Sequence, residues 1–471
     1  MKSKIFIVSI ILTFCFGLQA KIKVASLLTD NMVLQRNSEV KLWGKADPNQ
    51  KLNITIGWNK EKFNATANDK GEWLLKVKTT EAGGPYSISI TSGKEKVLLD
   101  NILLGEVWLC SGQSNMEMPV AGYGDQPVNG STDALLTAAN NNIRLFTVAK
   151  LSIATPQDTC KGSWSVATPE SVAKFSAVGY FYARLLQQSL NIPVGMITSN
   201  WGGSRIEAWM KNDVITGFAD AYKQTTQEKS QPNQRACRLY NGMIAPLINY
   251  NIKGAIWYQG ESNKDNYQDY AALQAAMVKS WRTDFGVGEF PFYFVQIAPH
   301  IYGNSKAINA ALQREAQYNS MSLIPNSGMV ATVDIGEEKS IHPAEKVTVS
   351  KRLALWALSE TYNMKGLPYK SPAFKSMQVK DSVAVISFDN AANGLTTYGK
   401  TVESFEVAGQ DSVFYPAKLT INQKQARIYS PKVKTPVAVR YNFCNFSPTS
   451  GFLYNTAGLP VIPFRTDNWK K

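Results

Sequence analysis

The chain has 471 residues, 50 Lys and Arg against 36 Asp and Glu, a formal charge of +14, and 44% hydrophobic residues. At roughly 150 residues per domain there is room for about three domains, and this much apolar material excludes a disordered or collagen-like chain. Beyond residue 20 no apolar run approaches the ~20 residues that span a bilayer, which excludes a polytopic membrane protein.

Residues 1–20 read MKSKIFIVSIILTFCFGLQA. Lys2 and Lys4 form a basic start, residues 5–17 an apolar stretch, and Ala20 offers a small residue at a cleavage point. This is the pattern of a secretory signal peptide and predicts a periplasmic or secreted protein with no stable membrane insertion. Phe14 stands before Cys15 where a lipoprotein needs a small residue. Without Lys2 and Lys4 the charge falls to +12. The positive residues are scattered, with no run of five or six, so no nucleic-acid partner is expected. Cys110, Cys160, Cys237 and Cys444 lie far apart without a CxxC pair. No metal or other cofactor is therefore expected. Export permits disulfides, but the spacing leaves their pairing open, as composition leaves the oligomeric state.

Residues 21–104 read as an N-terminal β domain. Segments 40–44, 52–58, 73–77 and 86–91 are rich in β-branched and aromatic residues. Turn chemistry separates them, at Asp47-Pro48-Asn49, Asn68-Asp69-Lys70-Gly71 and Gly83-Gly84-Pro85, which predicts a small sandwich. Residues 105–365 alternate apolar runs (107–110, 194–199, 254–258, 292–297, 328–333) with amphipathic stretches (177–190, 270–281, 307–318, and one after His342). That alternation predicts an α/β domain with a parallel sheet covered on both faces. Residues 117–147 form a long insertion expected to build a wall of the site or an interface. Residues 366–471 return to β, with strands expected at 383–388, 405–408, 419–421 and 437–441.

In an open parallel sheet the crevice lies beyond the carboxyl ends of the strands. The residues there are 111–116 (SGQSNM), 200–205 (NWGGSR), 259–263 (QGESN) and 334–336 (DIG), with His342 eight residues past Asp334. A serine needs a base to take its proton, and an imidazole suits neutral pH. With only two histidines in the chain the choice is narrow. Ser114, two residues past Gly112, is the expected nucleophile and His342 the expected base. His300, preceded by Pro299 and without a nearby acid, reads as a surface or packing residue. An oxyanion needs donors worth on the order of 10²–10³ in rate each. The candidates are the Ser114 backbone N–H, the Gly202-Gly203 backbone and the Gln259 amide.

The stretch GEVWLCSGQSNMEM (105–118) resembles the nucleophile block of the bacterial sialate O-acetylesterase family, within the SGNH (GDSL-like) hydrolases. The segments 200–204, 240–247, 257–263 and 334–343 resemble its later blocks in order. The resemblance implies a flavodoxin-like SGNH hydrolase α/β core between β-sandwich-like regions. It also implies a cofactor-free acetylesterase with Ser114 as nucleophile, His342 as base, and Ser114, Gly203 and Gln259 as the oxyanion hole. Members usually carry an acid a few residues before the histidine; here those positions are Lys339 and Ser340. Glu337, Glu338, Asp334 or a backbone carbonyl then remain as partners for the imidazole, the last making a Ser–His dyad. Glu261 is a further candidate for that partner, with a structural role holding the Gln259 loop preferred.

The expected substrate is an O-acetylated sugar, O-acetylated sialic acid first, with Asn115, Trp201 and Arg205 as substrate contacts. Arg205 suits a planar carboxylate, though a surface salt bridge to Glu207 or another acid is an equal expectation. Trp257 is expected in the core. Acetylxylan or another acetylated polysaccharide is the same-chemistry alternative, and a non-catalytic carbohydrate-binding protein the alternative of another class.

Overall fold

The computed structural model describes residues 22–225 and 230–469; the expected signal peptide lies outside the described residues. No helix among them is long and apolar enough to cross a membrane.

Seven strands build the central sheet: β1 (Glu95–Gly112), β2 (Asn140–Thr147), β3 (Trp164–Ala167), β4 (Val194–Asn200), β5 (Gly254–Tyr258), β6 (Phe292–Val295) and β7 (Ser327–Val330). Their spatial order is β3-β2-β4-β1-β5-β6-β7. Every neighbouring pair is parallel except β3 on β2. The sheet is therefore mixed, with one antiparallel edge. All residues of β4 and β5 are buried, as strands covered on both faces must be. Side chains alternate between faces. Val107, Leu109, Ala255 and Trp257 enter one core, and Trp108, Cys110, Ile256 and Tyr258 the other.

Helices α2 (Ala177–Leu190) and α5 (Lys346–Trp356) cover the second core, and α3 (Tyr270–Phe285) the first. Helix α4 (Asn309–Leu323) packs beside α3. Helix α2 starts where the Ser176 hydroxyl accepts from Gly179 N–H and ends on Asn191 in the left-handed region. The expected stripe Tyr270, Leu273, Met277 and Trp281 is buried. Trp257 packs edge-on to Trp209 and Trp281 at 6.0 and 5.8 Å, so it is core and no sugar platform.

The expected boundary between residues 104 and 105 lies inside β1. Its first half pairs with the hairpin partner Gly83–Ser92, while its second half, from Glu106, pairs with β4. One strand thus crosses from the N-terminal β unit into the central sheet, its partners changing at Gly105. Strands β2 and β3 are absent from the expected set: β2 (NNNIRLFT) opens on three asparagines and lies wholly within the expected insertion. The C-terminal region holds two four-stranded antiparallel sheets around one core that includes Ile386, Phe405, Ile428 and Tyr441. All four cysteines among the described residues are free thiols.

Candidate active site

The carboxyl ends of the central strands finish level. Gly112 of β1 lies opposite Asn200 of β4 and Tyr258 of β5, and Tyr258 lies opposite Val295 of β6. The loops after β1, β4 and β5 therefore emerge side by side. Gly112 makes the exit from β1 possible: its φ is +144°, and a Cβ there would sit 2.1 Å from the Tyr258 carbonyl oxygen. Backbone cannot yield as a side-chain tip can. We expect Gly112→Ala to destabilise the fold by about 3 kcal/mol, read as a lowered denaturation midpoint.

Ser114 opens the short helix α1 (Ser114–Glu117) and is half-buried. Its hydroxyl makes no hydrogen bond among the described residues. The residues on either side are anchors. The Gln113 side-chain oxygen accepts from Gln259 Nε2 at 3.2 Å and from Gly260 and Ser262 N–H, both at 3.3 Å, tying the β1 loop to the β5 loop. Asn115, expected to touch substrate, is instead 1% exposed. Its Nδ2 donates to Glu261 Oε1 at 2.5 Å and to the Ile341 carbonyl at 2.9 Å, and its Oδ1 accepts from Lys346 Nζ at 2.7 Å. With both ends of its amide committed, it holds the nucleophile loop to the histidine loop. Burial raises the Glu261 carboxyl and lowers the Lys346 ammonium to about 7. Glu261 therefore ties its own loop to the nucleophile loop through Asn115.

His342 is half-buried between the β1 loop and the insertion. Its Nδ1 lies 2.7 Å from Gln126 Oε1. The Tyr123 ring meets the imidazole edge-on at 5.5 Å, and the Tyr123 hydroxyl donates to the Ser114 carbonyl at 3.4 Å. No direct Ser114–His342 hydrogen bond is present among the described residues; such bonds commonly tighten only with substrate bound. Burial first, and then the charges of Lys346 and His300, lower the imidazole from 6.5 to about 4. None of the expected acids reaches it. Asp334 forms a two-pronged ion pair with Arg352 at 2.8 and 2.6 Å. Glu337 Oε1 accepts from Ala344 N–H at 2.7 Å, and Glu338 is exposed. His300 hydrogen-bonds the Glu337 carbonyl through Nδ1 at 3.2 Å and packs on Tyr302, the packing role expected of it.

The β4 loop runs against the nucleophile, since a Cβ on Gly202 would lie 3.3 Å from Ser114 Cβ. Gly202 N–H donates to Glu117, while Gly203, with φ +71°, keeps its N–H uncommitted among the described residues. Gln259 does not stand open as the expected third oxyanion donor. It is fully buried, and its Nε2 faces Gln113 Oε1, the Ser204 carbonyl and Asn263 Oδ1 at 3.2, 3.1 and 2.7 Å. Two amide hydrogens facing three acceptors leave none for a substrate.

Arg205 is half-buried and forms no ion pair among the described residues. Glu207, its expected partner, is buried instead beneath Asn263 Nδ2, at 3.2 and 3.0 Å. Trp201 sits at the rim with Lys150 Nζ 5.6 Å from its ring, Lys150 being paired with Glu117. The residues missed from sequence are Gln126, Tyr123, Gln113 and Lys346. The insertion was legible as a wall of the site, yet a glutamine within it carries no signal when a carboxylate is sought.

An α/β sheet whose strand-end loops gather a serine, a glycine turn and a histidine on one side is an arrangement typical of ester hydrolases. A family model described as carbohydrate esterase, sialic acid-specific acetylesterase matches residues 104–358. The chain is 28% identical over 512 residues to mouse sialate O-acetylesterase, covering 94% of each, and 29% identical over 386 residues to the human one, covering 74% of this chain and 73% of that. The crystal structure of a carbohydrate acetylesterase from Xanthomonas citri is similar at 35% identity with a TM-score of 0.87, over 95% of this chain and all of that one. The chain belongs to the sialic acid-specific acetylesterase family of carbohydrate esterases. It is a carboxylic ester hydrolase that removes O-acetyl groups from sugars.

Proposed function

We propose that this chain is an exported serine acetylesterase with an SGNH-type core, acting on O-acetylated sialic acid. The observation that carries the reading is the 2.9 Å bond from Asn115 to the Ile341 carbonyl, which joins the residue after Ser114 to the residue before His342. The order β4-β1-β5-β6-β7 within the sheet supports the flavodoxin-like core.

In this reading Ser114 Oγ attacks the acetyl carbonyl carbon while His342 Nε2 takes its proton. The backbone N–H groups of Ser114 and Gly203 receive the oxyanion, and Gln259 holds the loop around them. The bond to the sugar oxygen then breaks, and that oxygen takes the proton from Nε2. Water, activated by the same imidazole, attacks the acetyl-serine and releases acetate.

Arg205, without an ion pair among the described residues, supplies the charge that a sialate carboxylate needs, with Trp201 as a face for the sugar. A charge-assisted contact is worth about 1.5–3 kcal/mol. Arg205→Ala is thus expected to raise KM for 9-O-acetylated sialic acid by roughly 10–100-fold while p-nitrophenyl acetate stays within twofold. Steady-state rates of acetate release from 9-O-acetylated sialic acid and acetylated xylo-oligosaccharide, side by side, test the substrate. A preference for the xylo-oligosaccharide that Arg205→Ala leaves unchanged would overturn the sialate assignment in favour of a polysaccharide acetylesterase.

A further inference from the structure

We infer that Gln126 is the residue that orients the base, its side-chain carbonyl holding His342 Nδ1 where a carboxylate holds it in a Ser–His–Asp arrangement. This rests on the reading of Ser114 and His342 as nucleophile and base. An amide oxygen can only accept, so at 2.7 Å the hydrogen on this bond belongs to Nδ1. The lone pair is then left on Nε2, the nitrogen that must take the serine proton.

The turn carrying Gln126 is built to hold it. Tyr123 N–H donates to the Gln126 carbonyl at 3.0 Å and Gln126 N–H to the Tyr123 carbonyl at 2.7 Å, closing residues 123–126 into a small bridge. Tyr123 then meets both partners of the reaction, its hydroxyl on the Ser114 carbonyl and its ring edge on His342. One turn of the insertion therefore locates the nucleophile's backbone, the imidazole plane and the imidazole tautomer. The three acids within reach along the chain are engaged elsewhere or exposed, as described above.

A neutral partner changes the electrostatics of the base. The cations facing His342 are Lys346 and His300. The acids on the elements packed around it are the exposed Asp125, beside Gln126 in its turn, Glu117 of α1, paired with Lys150, and on its own loop Glu337, capping Ala344, the exposed Glu338, and Glu345, bound to Asn129 and Thr348. With no carboxylate on Nδ1, nothing adjacent favours the imidazolium, and the base stays unprotonated into acid.

The test is a set of pH–rate profiles on p-nitrophenyl acetate. Gln126→Ala is expected to lower kcat by roughly 10–100-fold with KM within twofold. Gln126→Glu, nearly isosteric, is expected to remain active and to move the acidic limb of kcat/KM upward by about 1–3 pH units, since an opposite charge favours the protonated ring. The exposed Glu338→Gln is expected to match wild type in both. A structural role alone would not move the acidic limb, and the isosteric variant keeps the question open to test should the alanine variant fold poorly. Wild-type kcat in Gln126→Ala, or an unmoved limb in Gln126→Glu, would overturn the assignment. Ser114→Ala run in parallel separates the two claims. If it is inactive while the Gln126 variants behave as wild type, the serine esterase reading stands and only the role of Gln126 falls; if it is fully active, the serine esterase reading itself fails.

Discussion

Replacing Ser114 by Ala is expected to lower kcat for acetate release by a factor on the order of 10⁴ or more, with the folded state unchanged. The size follows from what the side chain does. Without Oγ there is no acetyl-enzyme, and water must attack an ester held only by the donors of the pocket. The stability of the variant follows from the surroundings. Ser114 Oγ bonds to nothing among the described residues, and the loop is held by Gln113 on one side and Asn115 on the other. Removing one half-buried hydroxyl therefore leaves every anchor in place, and the denaturation midpoint should shift by no more than a few degrees. Acetate release measured on purified wild type and Ser114→Ala at equal concentration decides the matter. Equal rates would mean that the nucleophile lies elsewhere.

The second large effect is at His342. His342→Ala is expected to reduce kcat by a comparable factor, because the serine then loses its base and the sugar oxygen its proton donor. Wild type carries a further signature in its pH dependence. The base works in its neutral form, so kcat/KM falls as pH drops through the imidazole's pKa. Burial and the neighbouring Lys346 and His300 depress that value from 6.5 to about 4. The plateau should accordingly extend down to about pH 5 and the acidic limb lie near pH 4, measured on p-nitrophenyl acetate after correction for any loss of fold. A limb at the ordinary histidine position would show that the ring is more solvated or better paired with an acid than its surroundings indicate. The same depression acts on stability in a definite direction. The unfolded chain takes up a proton on this histidine near pH 6.5, which the folded chain refuses until about pH 4, so stability falls as pH falls between those values.

Much of this site was readable residue by residue. The level ends of β1, β4 and β5 follow from three apolar runs of strand type, each followed by small or polar residues, and the loops they carry are the ones expected. Gly112 is where close backbone approach demands glycine, and Gly203 is where a φ of +71° does. Asn115 and Gln259 were legible as site-forming positions, whereas their tasks were not. A polar residue in a crevice loop reads as a ligand contact until its neighbours are known, and both amides prove to be saturated by groups up to 231 residues away. The missed Gln126 belongs to the same class of problem, since it meets His342 from 216 residues away in sequence.

Taken by itself, the amino-acid sequence determined the α/β core between two β regions, the order of its strand-end loops, and the serine and histidine available for ester chemistry. Those properties are local: apolar runs of strand length, helical stripes, glycine at forced turns, and a chain with only two imidazoles. Tertiary structure alone decided which polar groups remain open to a substrate and which are consumed in holding loops together. It placed an amide on His342 Nδ1, and it left Arg205 without an ion pair among the described residues. Hydrogen-bond partners across separate loops depend on distances of a few tenths of an ångström, and no pattern along the chain encodes them.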